Sequence, residues 1–187
     1  MLVRAMIGQQ VTIASARTAL TQLAAVGRPS QNPGEGLDRM FPTPAGIAAE
    51  GYALLRGPRR RTEALRAAAS ALAEGRLDFG YGDDLASLSA KLLPLAGVGP
   101  WTVGYLAMRV LGAPDIFLAN DAAVRNGIRA LPAGDTSGSD FSKVSPWRSY
   151  ATMHLWRAAV RPGQGRVLAG PVTLPAQPPP EPEQQRK

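Results

Sequence analysis

The segment Leu92-Leu93-Pro94-Leu95-Ala96-Gly97-Val98-Gly99-Pro100-Trp101-Thr102 constrains the fold more than any other stretch. Leu85, Leu88 and Leu92 recur at helical spacing before it, and Val103, Leu106, Ala107 and Val110 do so after it. The pattern is helix, tight turn, helix. Gly97 and Gly99 permit a positive φ and close backbone approach, and Pro100 suits the first turn of a helix, where its missing N–H costs nothing. Amides with no side chains to shield them then point outward from the second helix, a site for an anion such as a DNA phosphate. The same Gly-x-Gly also serves as a plain connector between helices, and the turn alone does not separate the two.

In chain order, Ala5, Met6, Val11, Ala14, Ala19, Leu20 and Leu23 mark a buried helical face interrupted at Gly8, where a bend carries the polar pair Gln9-Gln10. Residues 27 to 45, rich in Pro, Gly and Asn, read as a loop, with Phe41-Pro42-Thr43-Pro44 leading into the next helix. Thr62 is placed as an N-cap before Leu65, Ala68, Ala69 and Leu72, with Gly75 as the stop. Arg56, Arg59, Arg60 and Arg61 cluster there as a solvated edge that could also touch a phosphate backbone. Asp83 or Asp84 caps the first hairpin helix, and the hairpin ends near Gly112. Trp101 and Tyr105, four apart, share a helix face, either as core or as the wall of a site. Residues 132 to 145 lack helical periodicity, after which Ser145 is expected to cap a helix with Pro146 at its first position and Tyr150, Met153, His154, Leu155 and Trp156 along it. From Arg161 onward Pro and Gly dominate, and residues 161 to 187 read as a disordered tail after a domain of residues 1 to 160.

Charge matters because the hairpin suggests an anionic partner. The 21 Lys plus Arg exceed the 14 Asp plus Glu, a formal net charge of +7 that favours a polyanion. There is no cysteine, which removes disulfides, thiolate zinc sites and Cys-ligated iron–sulfur clusters. His154 is the sole histidine, so a catalytic metal centre is not expected, and no other cofactor is either. No run approaches 18 apolar residues and the start lacks a secretion pattern, so the expected compartment is cytoplasmic, with no membrane partner.

The ordered set of motifs resembles the helix-hairpin-helix DNA glycosylase superfamily, specifically its 3-methyladenine DNA glycosylase II (AlkA-type) branch. The hairpin Leu-x-Gly-Val-Gly-Pro-Trp-Thr is followed one helix later by Phe117-Leu118-Ala119-Asn120-Asp121. Arg4-Ala5-Met6-Ile7-Gly8-Gln9-Gln10-Val11 resembles the branch's early Gly-Gln-x-Val segment, and Pro146-Trp147-Arg148-Ser149-Tyr150-Ala151 with His154-Leu155-Trp156 resembles its late helix. The resemblance implies an all-α helix-hairpin-helix glycosylase-like domain, spanning roughly residues 2 to 160. It also excludes the cluster-bearing members of the superfamily, since this chain has no cysteine to hold a cluster.

Carried over residue by residue, the resemblance implies a monofunctional enzyme that flips alkylated purines out of duplex DNA and cleaves their N-glycosidic bond. Asp121 is the implied catalytic carboxylate, although an Asp opening a helix is otherwise a plain N-cap. Trp101, Tyr105 and Trp156 are the implied base pocket, where an electron-rich ring favours a cationic alkylated base. Gly97, Gly99 and Thr102 are implied to hold a DNA phosphate. Gln10 is the implied wedge in the DNA stack, polar where some relatives are apolar, with Gln9 beside it and free to contact a base edge. Ala122 stands where some relatives have tyrosine, which implies a more open pocket. Trp101 stands where strand-cleaving relatives carry a Schiff-base lysine, so no lyase activity is expected. The partner is double-stranded DNA containing alkylated bases, and the chain is expected to be a monomer. Two alternatives remain: a non-catalytic helix-hairpin-helix DNA-binding module, and a degenerate fragment. The chain opens at the Gly-Gln-x-Val helix, so it is expected to lack the branch's small N-terminal domain, as a truncated start would.

Overall fold

The apolar run at the start divides into two helices instead of bending as one. In the computed structural model, which describes residues 1–9, 11–34, 38–131 and 140–160, α1 (Leu2–Gly8) stops where Gln9 turns to extended backbone, and α2 (Ile13–Ala24) restarts behind Thr12, whose side chain caps it through Ser15 N. Arg61 explains the break. Its Nη2 donates to the carbonyls of Met6, Ile7 and Gln9 at 3.2, 2.6 and 3.0 Å, satisfying acceptors that the end of a helix leaves open. The sequence-based view of Arg61 as part of a solvated edge is therefore corrected: this cation is half-buried and structural.

After the loop, closed by a single bridge between Pro29 and Arg39, Thr43 caps α3 (Pro44–Ala49) with proline in its first turn. A 3-10 turn at Gly51–Leu54 leads to α4 (Arg59–Ala73). This helix begins at Pro58, one turn before the expected Thr62 cap. Proline's fixed φ already suits a helix start, and Thr62 sits inside the first turn with its hydroxyl donating to Arg59 O at 2.9 Å. Gly75 follows the end at φ +70, as a helix stop does.

Asp84, not Asp83, caps α5 (Leu85–Leu92), accepting from Ser87 N at 2.7 Å. The turn then leads to α6 (Pro100–Leu106), which widens into a π-helical turn at Ala107–Leu111 before Gly112 ends it at φ +67. α7 (Ala122–Arg129) and α8 (Arg148–Val160) complete the set of eight α-helices among the described residues. α8 starts later than expected. Residues Phe141–Val144 form a 3-10 turn, Pro146 follows a cis bond, and Asp115 rather than Ser145 meets the helix start, accepting from Arg148 N at 3.3 Å. The segment 132–139 and the tail 161–187 lie outside the described residues.

The core forms in two parts. The larger joins α1, α2, α4, α5 and α6 through Leu2, Met6, Leu23, Leu65, Leu88, Leu92 and Leu106. The smaller joins α7 and α8 through Leu118, Val124 and Leu155. Tyr105 and Ile116 touch both, so the second face of α6 is where the two parts meet. No helix among the described residues is long and apolar enough to cross a membrane.

Candidate active site

Asp121 sits at that junction. It is the N-cap of α7, its Oδ1 accepting from Val124 N at 2.9 Å, as an Asp at a helix start commonly does. Two indoles also reach it. Trp156 Nε1, from α8, donates to Oδ1 at 3.0 Å, and Trp101 Nε1, from α6, donates to Oδ2 at 2.8 Å. Tyr105, one turn along α6, lies between the two indoles, stacked on Trp101 at 5.3 Å between ring centroids and 13° between planes, and tilted against Trp156 at 6.1 Å. The carboxylate and the three rings singled out in the sequence therefore come together from the cap of α7, from α6 and from α8, and all four side chains are half-buried.

Two glycines let them meet. Gly104 is buried, and a Cβ there would stand 2.9 Å from Leu118 Cδ2 and 3.2 Å from Ile116 Cγ2. Its lack of a side chain lets the segment before Asp121 lie against α6. Gly127 is tighter: a Cβ would stand 2.1 Å from Leu155 O, so α7 and α8 approach backbone to backbone beside Trp156. Asp115 anchors the other end of α8, accepting from Arg148 Nε at 2.6 Å and Nη2 at 2.8 Å and from Ser145 Oγ at 2.9 Å. Those charge-assisted bonds hold its carboxyl well below the usual carboxylate range, the Arg148 guanidinium being the main cause. Neither the two glycines nor the Asp115 link was singled out from sequence, because each depends on a partner distant along the chain.

The hairpin turn faces outward as the sequence suggested. Gly97 has φ +75, and a Cβ there would touch Ala64 Cβ at 3.4 Å, so the turn is pressed onto α4. Gly99 begins α6 with no side-chain cap and open space where a Cβ would stand. Among the described residues, the amides of Gly97, Gly99, Trp101 and Thr102 have no protein acceptor. Gln9 departs from its expected freedom: its Nε2 donates to Gly97 O at 3.0 Å and to Thr102 Oγ1 at 2.5 Å, fastening the end of α1 to the hairpin. Only its Oε1 remains for a partner. Gln10, the implied wedge, lies outside the described residues. Lys91 stands before the turn and pairs with Asp83 at 2.6 Å.

Ala122, in the first turn of α7, is exposed, as is the lone His154. Among the described residues no three His, Cys, Asp or Glu gather to hold a metal ion. A cleft of about 290 Å³ lies elsewhere, lined by Ile7, Val11, Ala19, Leu55, Arg56 and Leu65 among others. Its lining includes no Asp or Glu.

No family model matches the chain. It is 38% identical over 164 residues to a Mycobacterium tuberculosis protein described as a probable bifunctional transcriptional activator/DNA repair enzyme AlkA, covering 86% of this chain and 33% of that one. It is 34% identical over 163 residues to Escherichia coli DNA-3-methyladenine glycosylase 2, covering 82% and 55% respectively. The structure of Schizosaccharomyces pombe 3-methyladenine DNA glycosylase Mag1 in complex with abasic DNA matches at a TM-score of 0.66 and 24% identity, over 83% of this chain and 77% of that one. The fold is that of the helix-hairpin-helix DNA glycosylases. In sequence the chain is similar to proteins described as AlkA and DNA-3-methyladenine glycosylase 2. The chain spans between a third and just over half the length of the two curated relatives named here.

Proposed function

We propose that residues 1–160 form a monofunctional DNA glycosylase domain that excises alkylated purines from duplex DNA, acting as a monomer on DNA within the cell. The observation that carries this reading is the half-buried carboxylate of Asp121 ringed by Trp101, Tyr105 and Trp156, one helix beyond a turn of unpartnered amides. Those amides suit a phosphate and would fix the strand. The face of Trp101 not stacked on Tyr105 suits a flipped base, and an alkylated, cationic purine gains a cation–π attraction that an undamaged base lacks.

In the reaction, the bond between C1′ and the purine nitrogen breaks with its electron pair going to the base, so the cationic base leaves neutral. The sugar becomes an oxocarbenium ion, which the Asp121 carboxylate stabilises at short range. Water adds to C1′, and its proton passes to the carboxylate or to solvent, leaving an abasic site. No lysine stands at the turn to form a Schiff base: Trp101 occupies that place and Lys91 is paired with Asp83. Strand cleavage is therefore not part of the reaction.

Single-turnover release of 3-methyladenine or 7-methylguanine from duplex DNA tests the reading. Asp121→Asn should reduce the rate on the order of 10²–10³-fold, as expected when an electrostatic interaction made mainly in the transition state is removed, while affinity for an abasic duplex holds. Equal rates would return Asp121 to the status of a cap. A parent chain that binds DNA and releases no base, even when joined to the remainder of a relative's length, would make this a DNA-binding module.

A further inference from the structure

We infer that Trp101 and Trp156 act through their indole N–H groups as well as their rings: together they lock the Asp121 carboxylate in one orientation and leave Oδ2 as the oxygen turned to the reacting sugar. This deepens the glycosylase reading and rests on it. Oδ1 accepts two N–H bonds, from Val124 N and Trp156 Nε1, whereas Oδ2 accepts one, from Trp101 Nε1. Among the described residues Oδ2 is thus the oxygen with acceptor capacity in hand, and the one able to meet a developing cation or an attacking water.

A single cap bond fixes one oxygen and leaves the carboxylate plane free to swing. Three donors from three helices, α6, α7 and α8, remove that freedom, and Tyr105, packed on both indoles, holds the two rings apart. The arrangement is selective for an acceptor at both oxygens, because an indole nitrogen only donates. It is preorganised: the dipoles point at the carboxylate before substrate arrives, so none has to reorient as charge develops. Trp101 and Trp156 are in this respect positioning residues for Asp121.

The chain contains 3 tryptophans, and the third, Trp147, is 58% exposed and remote from the carboxylate, its ring packed edge-on to Tyr150. It serves as an internal reference. In ¹⁵N-labelled chain, Asp121→Asn should move the indole N–H resonances of Trp101 and Trp156 and leave that of Trp147 in place. Trp156→Phe keeps an aromatic ring and deletes the donor. It should slow single-turnover base release by about ten- to a hundred-fold, the worth of one hydrogen bond to a charged group, with abasic-duplex affinity unchanged, while Trp147→Phe alters neither. If Trp156→Phe fails to fold, Trp101→Phe makes the same test at Oδ2. Unmoved Trp101 and Trp156 resonances, or rate and affinity falling together, would overturn the inference. A parent that releases no base but shows both resonances moving would instead overturn the glycosylase reading and leave the locked carboxylate standing.

Discussion

Gly127 contributes no side chain, yet it decides where Trp156 stands. With Leu155 O only 2.1 Å from the position a Cβ would take, Gly127→Ala must push α8 away from α7. The clash is with backbone, so no rotamer change relieves it. Overpacking of this kind costs about 1–3 kcal/mol, and urea unfolding should show that loss together with slower base release, since Trp156 moves with α8. Unchanged stability would mean that the two helices do not meet backbone to backbone. Trp101→Ala separates a different pair of effects. Stacking on one base is worth roughly 1–3 kcal/mol, and the same change strips Oδ2 of its donor. Excision of a cationic base should fall more than binding to an abasic duplex, which lacks the base. Equal losses would return Trp101 to a purely structural place. At this scale the sequence pointed to the side chains that gather at the candidate site but not to their supports: Asp121, Trp101, Tyr105 and Trp156 sit in recognisable motifs, whereas Gly104, Gly127 and Asp115 matter through their packing and bonding with Leu118, Leu155 and Arg148, which no local pattern announces.

Among the elements, the hairpin was legible because each part of it is local. Leucine spacing defines α5, Pro100 starts α6, and Gly97 takes the one conformation in the turn that other residues resist. The end of α1 was not legible in the same way, because Gln9 there is held by Arg61 and by the Gly97 carbonyl, 52 and 88 residues along the chain. Two substitutions distinguish these kinds of interaction. Arg61→Ala leaves the carbonyls of Met6, Ile7 and Gln9 without their cation, and hydrogen bonds to a charged group are worth about 1.5–3 kcal/mol. Stability should fall by an amount of that order, and a loss below about half a kcal/mol would make Arg61 a surface residue after all. Gly99→Asp should do the opposite. Nothing lies within 4 Å of the added Cβ and φ there is −123°, so the fold is untouched. The new carboxylate stands where a phosphate would bind, so DNA affinity should drop at every salt concentration. The slope of log affinity against log salt should also become shallower, because one phosphate fewer sheds its counterions on binding. A titration that overlays the parent would place the DNA elsewhere.

Over the whole molecule, two carboxylates tie the hairpin and the site to the rest, and their titration links stability to pH. Asp83 accepts from Lys91, Ser87 and the amide of Gly80, which lower its pKa from 3.8 to about 2, the Lys91 bond first among the causes. It holds the start of α5 against the preceding turn. Asp115 is lowered further, chiefly by Arg148, and holds α8 to the segment that leads to Asp121. Both groups are more acidic folded than unfolded, so the unfolded chain binds protons first as pH falls. Their contribution to stability is therefore fully present above about pH 4, declines as pH drops below the ordinary carboxylate value, and is gone once pH has passed through the folded values. For Asp83 that window runs from about pH 4 down to about 2, and for Asp115 it extends lower. Asp115→Asn should consequently be less stable than the parent at neutral pH, with the gap narrowing as pH is lowered below about 4, when measured by urea unfolding at a series of pH values. Because α8 carries Trp156, the variant should also lose base-release activity at neutral pH while the hairpin, which Asp115 does not touch, still binds duplex. A stability gap that stays constant down to about pH 2 would show that the Asp115 to Arg148 pair is not ionised in the way its geometry requires.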